Sequence, residues 1–278
     1  MNEELARKKE NDLIKKLRDM GSLLVAFSGG VDSTYLVHVS KEAVGAGNML
    51  AVTATSSTYP MSELEEAKAL ALGAGVRHRV ITSEELDIKG FKDNPPDRCY
   101  YCKGELFSKL WEAAEAESLA CVVDGSNSDD AGDYRPGMRA AREKKVASPL
   151  KECGLTKNEI RFLSRERGIP TWDKPAYACL ASRFPYGDRI DADKLKMVER
   201  SEDFLKKLGF RQVRVRHHGQ IARVELPKEE LERALACGPR ESIVGELKNI
   251  GFSYVALDLE GYRTGSMNEI LGLVSIKK

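Results

Sequence analysis

Leu23-Leu24-Val25-Ala26-Phe27-Ser28-Gly29-Gly30-Val31-Asp32-Ser33 is the stretch on which the fold turns. Its apolar run, residues 23–27, has no polar interruption, as expected of a strand buried on both faces of a parallel sheet. Ser28-Gly29-Gly30 breaks the run, and residues 34–44 carry a helical pattern. A strand entering a helix through so short a loop leaves free backbone N–H groups and a positive dipole end at the helix start, which suits an anion. Glycines at 29 and 30 let that backbone approach a phosphate closely. Ser28 and Ser33 add hydroxyl donors, and Asp32 is a carboxylate suited to Mg²⁺. Neither Gly-x-x-x-x-Gly-Lys nor Gly-x-Gly-x-x-Gly occurs in the chain, so the two commoner phosphate loops are excluded. The plain alternative is an ordinary strand-to-helix turn.

Outward from this stretch, strand-like and helix-like segments alternate. Residues 51–55, 76–81, 120–124 and 146–149 read as strands; 60–71, 105–116 and 156–167 read as helices, the last opened by a Thr156/Glu159 capping box. Such alternation predicts an α/β fold with a parallel sheet flanked by helices. In these sheets ligands bind beyond the carboxyl ends of the strands, where Ser28, Ser56 and Gly125 fall. Residues 171–188 carry Pro175, Pro185 and Gly187 without a clean period, which marks a functional loop and linker. Beyond them come a helix over 190–208, a strand pair over 212–216 and 222–226 turned through His217-His218-Gly219, and a strand near 254–259. Two domains are expected, 1–187 and a smaller α+β domain over 188–278.

With 278 residues, 42% of them apolar, the chain has the composition of a globular protein with a sizeable core. Basic and acidic side chains number 44 and 43, a net charge of +1, so no global field draws in nucleic acid. Residues 1–19 are charged and helical in pattern, unlike a signal peptide, and no run reaches membrane-spanning length. A cytoplasmic location is expected. There, the 6 cysteines point to metal, redox or catalytic use rather than a disulfide framework.

Cys99-Tyr-Tyr-Cys102 and the isolated Cys179 are the cysteines of interest. Spacing alone leaves open an iron–sulfur cluster on three thiolates with one open iron, a zinc site, disulfide exchange, or no function. A structural zinc needs four ligands, and only Cys153 offers itself as the fourth. Cys121 begins a core strand, and Cys237 lies in or near a turn.

Ser-Gly-Gly-x-Asp-Ser resembles the PP-loop signature of ATP pyrophosphatases, which split ATP into AMP and pyrophosphate. A wider set of motifs resembles the LarE-type ATP-dependent sulfur transferases of nickel-pincer nucleotide biosynthesis, first met in lactate racemase maturation. These are Asp124-Gly-Ser-Asn-Ser-Asp-Asp130, Asp133-Tyr-Arg-Pro-Gly137, Trp172-Asp-Lys-Pro175, Ala178-Cys-Leu-Ala-Ser-Arg183, Pro185-Tyr-Gly187 and Gly261-Tyr-Arg-Thr-Gly-Ser-Met-Asn268. The resemblance runs nearly end to end and implies an adenine nucleotide alpha hydrolase-like fold. It implies a pyridinium mononucleotide substrate whose two carboxylates are adenylated with ATP and then converted to thiocarboxylates, and it implies a homo-oligomer. In one branch of the family the cysteine matching Cys179 gives up its own sulfur. In another, three cysteines hold a 4Fe–4S cluster whose open iron carries sulfide from a donor. Cys99 and Cys102 beside Cys179 match the second branch, because the first branch lacks the first two.

Site roles follow from both readings. Ser28, Gly29, Gly30, Asp32 and Ser33 are expected to hold the ATP phosphates with Mg²⁺, Asp32 and Ser33 acting directly in catalysis with Cys179. Ala54 to Ser57 are expected at the adenosine, with Gly125 and Asn127 closing the nucleotide site. Asp129 and Asp130 either bind metal or form a solvated turn. Arg135 and Arg139 are candidate partners for ATP or a substrate carboxylate. Arg183 is a candidate to lower the Cys179 thiol pKa or bind phosphate, and Arg214 to hold the substrate phosphate. For each arginine the alternative is an ordinary surface residue. The competing functions are tRNA thiolation, amide-forming adenylation, and a nucleotide-binding regulator without turnover. Near-neutral charge, the missing second Cys-x-x-Cys and the matches beyond residue 124 weigh against tRNA.

Overall fold

The computed structural model describes residues 1–132, 136–175, 178–263 and 266. They form two compact units, one of residues 1–85 and 97–177, the other of residues 86–96 and 178–278.

Helix α1 (Glu3–Asp19) opens the first unit and leads into β1 (Leu23–Ala26), α2 (Val31–Val44), β2 (Met49–Thr55), α3 (Met61–Ala74), β3 (His78–Thr82), α4 (Arg98–Ala116) and β4 (Cys121–Val123). The four strands make a parallel sheet in the order β3-β2-β1-β4, with Leu23 opposite both Met49 and Cys121. Helices α5 (Pro136–Glu143), α6 (Pro149–Glu152) and α7 (Lys157–Glu166) complete the unit. Alternate residues of β1 serve opposite faces, as a strand's two-residue period requires. Leu23 and Val25 join Leu13, Leu36, Ala67 and Ile160 in one core cluster; Leu24 joins Phe107, Leu110 and Ala141 in the other. Helices therefore cover both faces of the sheet, and the uninterrupted apolar run of β1 is explained. The strand expected over 146–149 shrinks to a single parallel bridge between Ala147 and Val123. Pro149 starts α6 at its first turn, where a residue without an N–H is tolerated but a ladder bond is impossible.

The second unit holds α8 (Ala192–Lys207), β5 (Arg214–His218), β6 (Ile221–Glu225), α9 (Leu231–Leu235), α10 (Cys237–Ile250) and β7 (Tyr254–Leu257). Its sheet runs β5-β6-β7, antiparallel then parallel, over a core of Leu205, Phe210, Val215, Val224, Leu247 and Phe252. His217 and His218 belong to β5, so the hairpin closes through Gly219 and Gln220 alone, with Gly219 at φ 61°. The units change over at residue 177 rather than 187, and the second draws in residues 86–96. Buried Asn94 explains this: its amide donates to the carbonyls of Phe184 and Pro185, and its own carbonyl accepts from Gly187 at 3.0 Å. Among the described residues no helix is long and apolar enough to cross a membrane.

Candidate active site

The loop between β1 and α2 is shaped by contacts that only glycine permits. Gly29 sits at φ +67°, and a Cβ there would stand 3.2 Å from that of Ala67. Gly30 caps α2 with no side-chain hydrogen bond, so the first-turn amides of the helix are not claimed by a capping side chain. Inside the loop, Ser33 Oγ accepts from the Ser28 amide at 3.2 Å and lies 3.1 Å from Ser28 Oγ. At the end of β4, Gly125 comes so close that a Cβ would stand 3.0 Å from the Ser33 amide nitrogen. Gly125→Ala is accordingly expected to push the 124–127 turn off α2 and weaken binding of a non-hydrolysable ATP analogue by about tenfold, measured by calorimetry.

Asp32 projects from the first turn of α2 into a charged cluster. One carboxylate oxygen meets Lys157 Nζ at 2.6 Å, and Oδ1 is buried with no hydrogen-bond partner among the described residues. Burial pushes the Asp32 carboxyl upward, while the Lys157 ammonium pulls it back down. The turn 127–130 is self-satisfied: Asn127 Oδ1 accepts from the Asp129 amide at 2.9 Å and Asp130 Oδ2 from the Asn127 amide at 3.0 Å. Asp129 Oδ2 accepts from the Lys157 amide at 2.8 Å, which docks the start of α7 beside Asp32. Asp129 thus places Lys157, and Asn127 and Asp130 also bear on the Asp32 charge, which the first stabilises and the second repels. A buried carboxylate oxygen without a partner is a costly group, and a cation is what would satisfy it. The residues present therefore fit Mg²⁺ at Asp32.

A second lysine braces the loop. Lys174, in the Trp172–Pro175 motif, lies 2.8 Å from Glu63, 2.9 Å from Glu66 and 3.1 Å from the Gly29 carbonyl oxygen. Burial disfavours its charge, but Glu63 and Glu66 outweigh that and hold its pKa above the ordinary lysine value. At the end of β2, Ala54 is half-buried. Ser57 is engaged with Glu84, donating through both its amide and its hydroxyl. Arg139 is exposed on α5, with its guanidinium 3.9 Å from the Tyr100 ring centroid. Arg135 lies outside the described residues.

Cys99 and Cys102 occupy the first turn of α4 at i, i+3, which puts them on one side of the helix. Cys99 is exposed, and Cys102 donates its thiol to Glu85 at 3.6 Å. Among the described residues no three His, Cys, Asp or Glu side chains lie close enough to hold a metal ion. Cys153 is half-buried beside the first core cluster, and burial raises its thiol pKa while Lys16 opposes it.

In the second unit Cys179 is exposed at the start of a short turn over 180–183. Behind it, Arg183 is fully buried and pairs bidentately with Glu202, both contacts at 2.8 Å. Its remaining nitrogen donates to the carbonyls of Ala178 and Cys179 and to Ser182 Oγ. In this structure the buried Arg183 guanidinium anchors the Cys179 turn, and its charge interacts with Cys179. Arg216 adds a second tie, pairing with Glu225 at 2.7 Å and donating to the Ser182 carbonyl at 2.8 Å. Arg214 is also buried, its guanidinium 5.2 Å from the Tyr262 ring centroid. Burial and the Arg183 charge lower its pKa, and Glu202 opposes them.

Lys157, Lys174, Tyr59 and Glu202 escaped the sequence reading. The first stands at the opening of the recognised capping box and the second inside a recognised motif. Glu202 left a subtler sign: it lies on the buried stripe Leu195, Val198, Leu205 of α8, where a charge needs a buried partner.

No family model matches the chain. It is 38% identical over 267 residues to pyridinium-3,5-bisthiocarboxylic acid mononucleotide synthase of Lactiplantibacillus plantarum, covering 96% of each chain. An uncharacterized protein of Synechocystis sp. is 43% identical over 253 residues, 91% of this chain and 94% of that one. Another, of Methanocaldococcus jannaschii, is 30% identical over 92% of this chain and 96% of its own. Similarity of that extent, joined to the phosphate loop with Asp32 at its centre, shows that the chain belongs to the LarE-type ATP-dependent sulfur-inserting enzymes.

Proposed function

We propose that this enzyme adenylates the carboxylates of pyridinium-3,5-biscarboxylic acid mononucleotide and converts them to thiocarboxylates for the nickel-pincer cofactor. The observation that carries the reading is the Asp32 site. A buried, half-unpartnered carboxylate stands on the first turn of a helix entered through a glycine loop, in a chain similar end to end to a synthase of that product. A substrate carboxylate oxygen attacks the α-phosphorus of ATP, and the bond to the pyrophosphate breaks. The α2 amides and the hydroxyls of Ser28 and Ser33 stabilise charge on the leaving group. Mg²⁺ held by Asp32 would supply further neutralisation of the phosphates. A sulfur nucleophile then attacks the acyl carbon, and AMP departs with the bonding electron pair.

For the sulfur source, the finer proposal is sulfide carried on a 4Fe–4S cluster held by Cys99, Cys102 and Cys179. Two thiols on one side of α4 support it. The second reading is Cys179 as the sacrificial donor, supported by its exposed thiol at the start of the 180–183 turn. Arg214 is proposed to hold the precursor's phosphate in the second unit, which is also the proposed site of homo-oligomer contacts. Anaerobically reconstituted protein, given ATP, Mg²⁺, the biscarboxylated mononucleotide and sulfide, separates the sources. Repeated turnover at unchanged protein mass, lost on replacing any one of Cys99, Cys102 or Cys179 by alanine, is the expected result. A single turnover with loss of H₂S from Cys179 alone, read by mass spectrometry, assigns the sulfur to that cysteine.

A further inference from the structure

Two carbonyls of the phosphate loop are gripped from outside it. The Tyr59 hydroxyl donates to the Ser28 carbonyl oxygen at 3.0 Å, and the Lys174 ammonium donates to that of Gly29 at 3.1 Å. Neither grip is loose. Lys174 is fixed by Glu63 at 2.8 Å and Glu66 at 2.9 Å, and Glu63 is itself buried in the first turn of α3. Burial keeps the Tyr59 phenol protonated by raising its pKa, so it remains a donor.

The consequence follows from peptide geometry. No peptide bond among the described residues is cis, and in a trans peptide the C=O and N–H point in opposite directions. The Ser28 carbonyl shares its plane with the Gly29 amide, and the Gly29 carbonyl with the Gly30 amide. Holding both carbonyls against Tyr59 and Lys174 therefore aims both amides away from those side chains. Amides so aligned make an anion-binding concavity. Without the grip, a Gly-Gly loop has more backbone freedom than any other dipeptide and would have to be ordered at each encounter with phosphate.

We infer that Lys174, with Tyr59, is a positioning residue that pre-orients the loop amides for the ATP phosphates. Neither residue need touch the nucleotide; each acts through a carbonyl of Ser28 or Gly29. The inference rests on the adenylating function proposed above. The competing role for Lys174 is structural, tying residues 171–175 to α3 without effect on the loop.

Three variants decide between them: Lys174→Met, Tyr59→Phe, and Glu65→Gln as a control that removes charge from an exposed position of α3, outside the Lys174 contacts. The readouts are affinity for magnesium pyrophosphate by calorimetry, kcat and KM for ATP-dependent pyrophosphate release, and the thermal midpoint. Lys174→Met and Tyr59→Phe are each expected to weaken pyrophosphate binding about tenfold and lower kcat by about 10–100-fold, with a smaller change in KM for the mononucleotide. Glu65→Gln is expected to match wild type. A structural role instead predicts a lower thermal midpoint with both affinity and kcat intact in the folded protein, which overturns the inference. So does a Glu65→Gln variant as impaired as Lys174→Met, since charge rather than loop orientation would then be the cause. Should Lys174→Met not fold, Tyr59→Phe decides alone, because it deletes one hydroxyl. Wild type that binds pyrophosphate but releases none from ATP and the mononucleotide overturns the functional reading, while the affinities still decide the loop's orientation.

Discussion

Asp32→Ala is expected to lower ATP-dependent pyrophosphate release by about a thousandfold while leaving the protein folded. The carboxylate is buried, one oxygen is spent on Lys157 and the other has no partner among the described residues. Burial raises its pKa against the pull of Lys157, so in the ligand-free protein the ionised group opposes folding more than it helps. Removing such a group is often neutral or stabilising when its partner can reach water, and Lys157 is not deeply buried. The thermal midpoint should stay level or rise as activity collapses. Near-normal pyrophosphate release from Asp32→Ala would remove Asp32 from the chemistry. A folded but inactive variant that still binds the nucleotide would place its action on the charge that develops as pyrophosphate leaves.

The second large effect is structural in origin. Arg183→Ala removes the bidentate partner of Glu202 in the interior of the second unit, leaving it the Val215 amide and the Arg214 charge. The loss is expected to destabilise by about 3 kcal/mol, measurable by chemical denaturation. Glu202→Ala should cost a similar amount, since it strands the arginine. Replacing both, as Arg183→Met with Glu202→Leu, removes the pair together and should recover part of the stability, with buried Arg214 left without the Glu202 charge. It should not recover sulfur transfer, because Arg183 also holds the carbonyls of Ala178 and Cys179. A double variant that is both stable and fully active would show that the Cys179 turn needs no anchor. The pair also sets an acid limit. Burial pushes Glu202 up, but Arg183 outweighs it and holds the folded pKa below the ordinary value. Its contribution is therefore complete above the unfolded pKa of about 4.3 and is lost as pH falls toward and below that of the folded state.

Much of the first unit was legible in the sequence because its signals are local. The apolar run of β1, the glycine loop after it and the Thr156 capping box each fix a few neighbouring residues, and each is found where it was read. Cys99 and Cys102 were legible as a pair for the same reason. What escaped the reading depends on partners distant in sequence. Lys157 meets Asp32 across 125 positions and Lys174 meets Gly29 across 145; no period in the chain reports such a pairing. Asn94 reaches Phe184 and Pro185 across some 90 positions, which ties residues 86–96 to the second unit. The buried partner of Arg183 was equally hidden, because Glu202 lies 19 positions away in an amphipathic helix.

The interleaving of the two units constrains how this protein emerges from the ribosome. Residues 86–96 are made early, yet Asn94 and the Lys92 carbonyl find their partners among residues that follow position 177. The first unit, for its part, cannot close until α7 and the Lys174 loop have been synthesised. Neither unit can therefore mature on a half-length nascent chain, and the 86–96 excursion must wait, exposed, for the C-terminal third. A stand-alone version of the first unit would have to be made by excising that excursion and bridging Glu85 to Asp97, not by truncation alone.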